Sequence, residues 1–452
     1  MEGTKTVAVQ GNDKAASADD TLAHSEDEFD RLLDESLRKV DEGALEEWQV
    51  LTHIFKAFVG TGILGLPSAV MHGGIVLGPT VLVLLGLVCM YNIKLLVDTA
   101  KHLRQSLGIN IISYSGISEH LLSVYGTKAG TFGKYMTDFL LCSLQLGFCC
   151  VYVVFIAHNI QVVAGMLDVR IWMVVLFPFL VIPSLITNIS RLAYLTTIGN
   201  VIVLIGLGVI YHYLVTNLED PKLFPTTNGY LNACVSFGQV VYAFEGIAVV
   251  LPTENKLKKR ESFDFVLKVA ASIVLILYVS MGVLGYLTFG EDTLGSITLN
   301  LPQTALYQTL QIFFAVMVYF TYPLQLLVSV EIIKCYIQTH KQTESEKHTY
   351  ELLLRSFLVV STCILAICIP QLDNFMALVG SISGVAVGLI LPPIFHTLCY
   401  WRQGLSRLQF ALNIFITLIG IFAFITGTLA TIYSIMHRFI HEPSSTKLLV
   451  QS

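Results

Sequence analysis

Two ionisable residues of this chain sit inside apolar stretches, where a charge is costly unless it is used. His53 opens the run "HIFKAFVGTGILGLPSAV", which ends at Val70, and Glu245 interrupts a second run, "FEGIAVVLP", over residues 244–252. Histidine alone has an ordinary pKa, about 6.5, within the range that modest pH gradients cross. The chemistry His53 offers is therefore proton coupling, against the plain alternative of a neutral, hydrogen-bonded ring that never titrates. A carboxylate inside a membrane span costs about 2.5–3.5 kcal/mol by insertion scales and so faces a cavity or a partner. Glu245 is accordingly a second candidate for carrying a proton or pairing at a gate, or else a brace for backbone N–H groups left free around it.

The backbone around both residues carries its own signal. Three glycines and a proline fall within eight residues at Gly60-Thr61-Gly62-Ile63-Leu64-Gly65-Leu66-Pro67. Irregular backbone at membrane depth is tolerated only where it is buried in protein or lines a watery cavity; close helix packing through small residues is the competing explanation. The second run decides between them. Phe58 to Pro67 and Phe244 to Pro252 both read Phe-x-Gly, an apolar stretch, then Leu-Pro. Interrupted segments at matching positions, five helices apart, point to an inverted repeat with a substrate site between its halves. Unwinding frees N–H groups at the start of a half-helix to hold a carboxylate, while freed carbonyls accept from an ammonium group. A free amino acid carries both, which makes Gly60, Thr61, Gly62, Ile63 and Gly65 of the first run, with Phe244 and Gly246 of the second, the expected binding residues.

The elements that must position them are membrane helices. Of 452 residues, 54% are hydrophobic and 13% charged, against about 25% charged in soluble domains; the mean hydropathy is +0.70. The expected fold is an all-α polytopic membrane protein with eleven spans near 52–70, 75–99, 136–165, 170–188, 193–216, 232–252, 265–289, 306–333, 353–370, 374–399 and 409–436, each close to the roughly 20 residues a bilayer requires. With the first tail inside, fifteen lysines and arginines fall in cytoplasmic loops and only Arg170 and Lys222 in exterior ones. That bias sets the N-terminus in the cytoplasm. Residues 1–47 read as a polar, disordered cytoplasmic tail, 48–436 as the transmembrane unit and 437–452 as a short exterior or lumenal tail. With no apolar signal core at the N-terminus, the first span is expected to serve as targeting signal. Close to half of the acidic residues lie in the first tail, and nothing basic enough for nucleic acid remains.

Four segments, "GTGILGLPSAVMHGGIVLGP" (60–79), "QLGFCCVYVVFIAHN" (145–159), "FEGIAVVLPTENKLK" (244–258) and "FFAVMVYFTYPLQLLVSVEII" (313–333), resemble the proton-coupled amino acid transporter family of the amino acid/auxin permease group. The resemblance runs from about residue 48 to 436. It implies a five-plus-five inverted repeat of the leucine-transporter-like kind, with broken helices one and six, and symport of protons with small neutral amino acids such as glycine, alanine or proline. His53 corresponds to the histidine the family is thought to use in proton coupling. Lys56 also matches, and snorkelling to the cytoplasmic interface explains it equally well. Phe148 and Tyr152 on the third helix and Thr321 and Tyr322 on the eighth are implied substrate-lining residues, against ordinary packing. The family's vertebrate members bridge two exterior cysteines; here the nine cysteines fall within or at the ends of apolar stretches, and no structural disulfide is expected.

Other functions find less support. "GTKAGTFGKY" (126–135) has the wrong spacing for a phosphate loop, and Tyr135 stands where Ser or Thr is needed. It reads as a loop, and neither a cofactor nor an enzymatic activity is implied. An amino-acid sensor with little flux, or a sodium-coupled or vesicular transporter of the same superfamily, remain the alternatives. In the tail, Glu28-Phe-Asp-Arg-Leu32-Leu33 fits an acidic dileucine signal for a sorting adaptor, against an amphipathic stub on the membrane surface. Endosomal or lysosomal residence with a plasma-membrane pool follows. Replacing Leu32→Ala together with Leu33→Ala is expected to move the protein from lysosomes to the cell surface, imaged beside a lysosomal marker. An unchanged distribution removes the sorting signal.

Overall fold

A computed structural model describes residues 46–109, 112–165, 167–186, 189–244, 246–257, 262–337, 344–401 and 404–441. Glu28, Leu32, Leu33 and Glu245 lie outside these, and His53 is described only as a backbone position. The described chain is helical. The first hydrophobic run forms two helices, α1 (Glu47–Phe58) and α2 (Thr61–Gly73). Then follow α3 (Leu77–Leu107), α4 (Tyr114–Ser123), α5 (Thr127–Ala164), α6 (Val169–Ser184) and α7 (Ile189–Thr216). The second interrupted run forms α8 (Tyr230–Ala243) and α9 (Ile247–Lys256). The remainder is α10 (Phe263–Phe289), α11 (Ala305–Ile337), α12 (Glu344–Cys368), α13 (Leu372–Val379), α14 (Leu391–Tyr400) and α15 (Arg407–His441). Between α13 and α14 the chain stays helical in two wider π turns, Gly380–Gly384 and Ala386–Ile390. Seven helices among the described residues are long and apolar enough to cross a membrane, and two shorter apolar ones accompany them.

Local chemistry sets where these helices start and stop. Asp168 caps α6 by accepting from the Arg170 N–H at 2.8 Å, and Ser113 caps α4 through the Gly116 N–H at 3.0 Å. Gly108 and Gly165 end α3 and α5 with φ of 69° and 64°, the left-handed closure that glycine adopts without strain. The stretch 126–135, expected as a loop, instead supplies the first turns of α5. Its glycines have a packing reason: a β-carbon at Gly130 would come to 2.9 Å from the Glu119 carbonyl, and one at Gly133 to 2.8 Å from Ser118 Oγ. Small residues there let α4, a helix absent from the expected spans, lie directly along α5.

The helices pack in two groups. α1, α2, α3, α8, α9 and α10 surround the two interruptions, while α5 holds α4, α6, α11 and α12, with α7 against α11. α13 touches both groups, through α8 on one side and α5 on the other. Ion pairs lace the helix ends at residues expected in cytoplasmic loops. Lys334 and Arg355 both reach Glu351, at 3.0 and 2.6 Å, and Arg355 Nη1 also donates to the Ser184 carbonyl at 3.0 Å. Arg104, in the last turn of α3, meets Glu254 of α9 at 2.8 Å, with side-chain exposures of only 7% and 0%. Removing one partner of such a buried pair strands the other charge, so Arg104→Met is expected to destabilise the protein by about 3–5 kcal/mol. Adding Glu254→Leu should restore most of the loss, read as apparent melting temperature of the purified protein.

Candidate functional site

The site is built from four helix ends that meet where the two apolar runs break. α1 and α8 bring their C-terminal carbonyls to the breaks, and α2 and α9 begin there. Among the described residues the N-cap positions of α2 and α9 are glycines, Gly60 and Gly246, with no side chain to cap the first turn, although the four N–H groups that open any helix have no intrahelical acceptor. Thr61, Gly62, Ile63 and Ile247 are buried. Two uncapped helix starts in a buried place form an electropositive edge suited to a carboxylate.

The repeated Phe-x-Gly has a repeated geometry. The Gly60 N–H donates to the Phe58 carbonyl at 2.9 Å, and the Gly246 N–H donates to the Phe244 carbonyl at 2.9 Å. Each break is thus a three-residue turn closed by its glycine. Tyr278 of α10 joins the two. Its buried hydroxyl donates to the Ala243 carbonyl at 2.9 Å and also meets the Phe58 carbonyl. One hydroxyl proton serves two acceptors, so two carbonyl oxygens from opposite breaks converge on a single donor. Their convergence suits an ammonium group, which has three donors to offer. The Tyr278 ring packs at a tilt against Phe244 with centroids 4.9 Å apart.

The three glycines of the first break do three different things. A β-carbon at Gly60 would meet nothing within 4 Å; at Gly62 it would fall 2.8 Å from Ala243 Cα; at Gly65 it would strike the Met376 thioether, with Sδ at 2.9 Å. Gly62 is where the backbones of the two breaks touch, and Gly65 makes room for α13. Gly246 plays the matching part in the second break, since a β-carbon there would lie 2.7 Å from the Phe58 ring.

Of the aromatic and hydroxyl residues expected to line a substrate, some gather here and others do not. Thr61 Oγ1 lies 3.2 Å from the Tyr242 hydroxyl, and Phe148 packs on the Tyr242 ring at 4.8 Å. Tyr152 is buried on α5 one turn beyond Phe148. Tyr322 turns towards α12, with its hydroxyl 2.6 Å from Thr362 Oγ1, and Thr321 donates back to the Met317 carbonyl at 2.9 Å. Phe244 faces α3, where its ring fills the space beside Gly86. Tyr242 and Tyr278, at the centre of this arrangement, were missed in the sequence, where each is one aromatic in a long apolar run. For Tyr242 the signal was its position two residues before the Phe-x-Gly turn.

Residues 45–433 match the family model described as transmembrane amino acid transporter protein. Over 406 residues the chain is 30% identical to the proton-coupled amino acid transporter-like protein pathetic of Drosophila melanogaster, covering 86% of this chain and 85% of that one. It is 27% identical over 409 residues to amino acid transporter AVT3B of Arabidopsis thaliana, covering 87% and 94%. Among solved structures it is similar to a nucleobase-cation-symport-1 family transporter in a closed conformation with bromovinylhydantoin bound, with 12% identity, a TM-score of 0.48 and coverage of 89% and 93%.

The approach of Gly62 to Ala243 gives a direct test of the breaks. Gly62→Val places a β-branched side chain between two backbones that have no room for it. Alanine binding is expected to fall more than tenfold, about 1.4 kcal/mol or more, with the protein still delivered to its membrane. Unchanged affinity would mean that Gly62 only packs helices.

Proposed function

This chain belongs to the transmembrane amino acid transporter protein family, and from that premise we propose that it carries small neutral amino acids, of the glycine, alanine and proline class, into the cytoplasm together with protons. The observation that carries this reading is the meeting of unlike helix ends at the two breaks. A zwitterion lays its carboxylate on the uncapped starts of α2 and α9 and its ammonium against the Phe58 and Ala243 carbonyls. Small side chains are favoured by the backbone contact at Gly62 and by the Thr61, Tyr242 and Phe148 cluster close beside it.

The architecture we read is eleven spans in a five-plus-five inverted repeat. α1 with α2, and α8 with α9, count as single interrupted spans, and α13 with α14 as one. The same glycine-to-phenylalanine bond closing both breaks supports the repeat. Transport proceeds by alternating access, the six helices around the breaks moving against the group held by α5, with the N-terminus in the cytoplasm. An acidic endosome or lysosome, or an acidified cell surface, supplies protons in the same direction.

His53 is the residue we assign to coupling, with Glu245 beside the second break as a further proton carrier or gate partner. The energetics suffice: a proton descending one pH unit supplies about 1.4 kcal/mol and 100 mV adds about 2.3, enough to concentrate a neutral solute a few hundredfold. The relative whose name includes "proton-coupled" supports this choice over sodium. The test is alanine-evoked current with sodium replaced, at two external pH values, in wild-type protein and His53→Ala. Wild-type current should rise as external pH falls, and the variant, although present in the membrane, should carry none. Full pH-dependent current in His53→Ala would overturn the assignment.

A further inference from the structure

A second set of buried polar groups lies away from the breaks, at the opposite end of α2. His72 stands in the last turn of α2, Asp373 in the first turn of α13, and Arg438 near the end of α15. Arg438 grips the Asp373 carboxylate with two bonds, Nη1 to Oδ1 at 3.2 Å and Nη2 to Oδ2 at 2.8 Å. Gln239 of α8 donates to the Asp373 backbone carbonyl at 3.1 Å and to Ser68 Oγ at 3.2 Å. Four elements, α2, α8, α13 and α15, are therefore tied at one point.

The histidine tautomer follows from its partners. His72 Nδ1 is 2.8 Å from the Ser68 carbonyl oxygen, which can only accept, so Nδ1 carries the hydrogen. The Ser68 hydroxyl, at 3.5 Å, is a weaker partner. In the neutral ring, Nε2 then presents a lone pair to Asp373 Oδ2, 3.8 Å away. That separation is too long for a hydrogen bond, and two acceptors facing each other have no reason to close it. A proton on Nε2 reverses the interaction: imidazolium faces carboxylate, and a charge-assisted bond settles near 2.7–2.9 Å. The gap closes by roughly 1 Å on a single protonation.

The surroundings leave this exchange to His72 and Asp373. Arg438 is the fixed positive charge, and its side chain is 33% exposed. On α5, His158 Nε2 is held 2.8 Å from the Pro370 carbonyl, at the turn into α13. Glu291 lies one step away, bonded by Tyr286 at 2.9 Å and by Asn228 at 3.3 Å; the same Asn228 donates to the Met71 carbonyl. α3 and α10 approach this end of α2 with Gly78 and Gly282, which bring no charge.

We propose that His72 Nε2 is a proton-binding site loaded from the outer compartment, with Asp373 as its counter-charge, and that loading draws the outer half of the first broken helix onto α13. The proton comes from hydronium and leaves water; no other bond changes. The inference rests on the proton-coupled reading above and adds a second station to it. His53 lies nineteen residues earlier, near the middle of α1 on the other side of the break. The outer site thus takes up the proton on one side, while the inner histidine is placed to release it on the other.

The experiment uses the full chain in proteoliposomes, comparing wild type with His72→Asn. Asparagine keeps a donor for the Ser68 carbonyl and removes the Nε2 position. A one-unit pH gradient without voltage should concentrate alanine about tenfold in wild type and less than about twofold in the variant, while alanine-for-alanine exchange, which needs no net proton movement, is followed in the same vesicles. Full gradient-driven accumulation by His72→Asn would overturn the site and leave proton coupling intact. Wild-type vesicles that exchange alanine but never concentrate it would instead sink the coupling reading. The proton site is then decided by melting purified protein between about pH 5 and 8: the pH dependence of the melting temperature should differ by several degrees between wild type and variant, and superimposable curves would overturn it.

Discussion

The structure depends on a membrane-depth backbone that has to satisfy its hydrogen bonds without a continuous helix. In hydrocarbon an unmet N–H or C=O group costs several kcal/mol, so two breaks in one bundle are tenable only if something nearby serves them. Tyr278 does this for both, with one hydroxyl set against the Phe58 and Ala243 carbonyls. The glycine turns do the rest locally. What is left over is asymmetric: helix starts with glycine N-caps on one side, and on the other the Phe58 and Ala243 carbonyls, which converge on the Tyr278 hydroxyl. A ligand with opposite charges at its two ends completes both sides, which is the physical basis of the amino-acid reading.

The same breaks divide the bundle. α1 and α2 are separate rods with different neighbours. α1 is tied to α10 and α9, while α2 sits on α8 and α10 and meets α13 through Gly65 and Met376. α13 contacts both the helices around the breaks and the group centred on α5, and it continues into two π turns where Gly380 lies against the backbone of Gly238. Wider turns of this kind occur where a helix is kept from its regular geometry for a functional reason. Buried charges sit at the two ends of this machinery, Arg104 with Glu254 at one and Asp373 with Arg438 and His72 at the other.

Much of this was legible in the sequence, and the limits have physical causes. The breaks were readable because three glycines and a proline crowd into eight residues of the first run, and because Phe-x-Gly recurs with Leu-Pro after it. Spans were readable from apolar length. α4 was not, since a ten-residue half-polar helix has no such length, and residues 127–135 looked like a loop because the glycines that let α4 pack against them are also loop residues. Tyr278 and Tyr242 were invisible, since an aromatic in an apolar run has no sequence mark for the direction of its hydroxyl. The His72 cluster was hidden by distance along the chain: His72 and Asp373 are 301 residues apart, and each looked like the end of a span.

The central claim is that both charged ends of the ligand are held, one by each kind of helix end. It is tested by displacing labelled alanine from purified protein with unlabelled alanine, with propionate, which lacks the ammonium, and with ethylamine, which lacks the carboxylate. Losing one set of charge-assisted hydrogen bonds should weaken each one-ended analogue by at least about tenfold relative to alanine. Displacement by propionate or ethylamine as effective as by alanine would contradict the account.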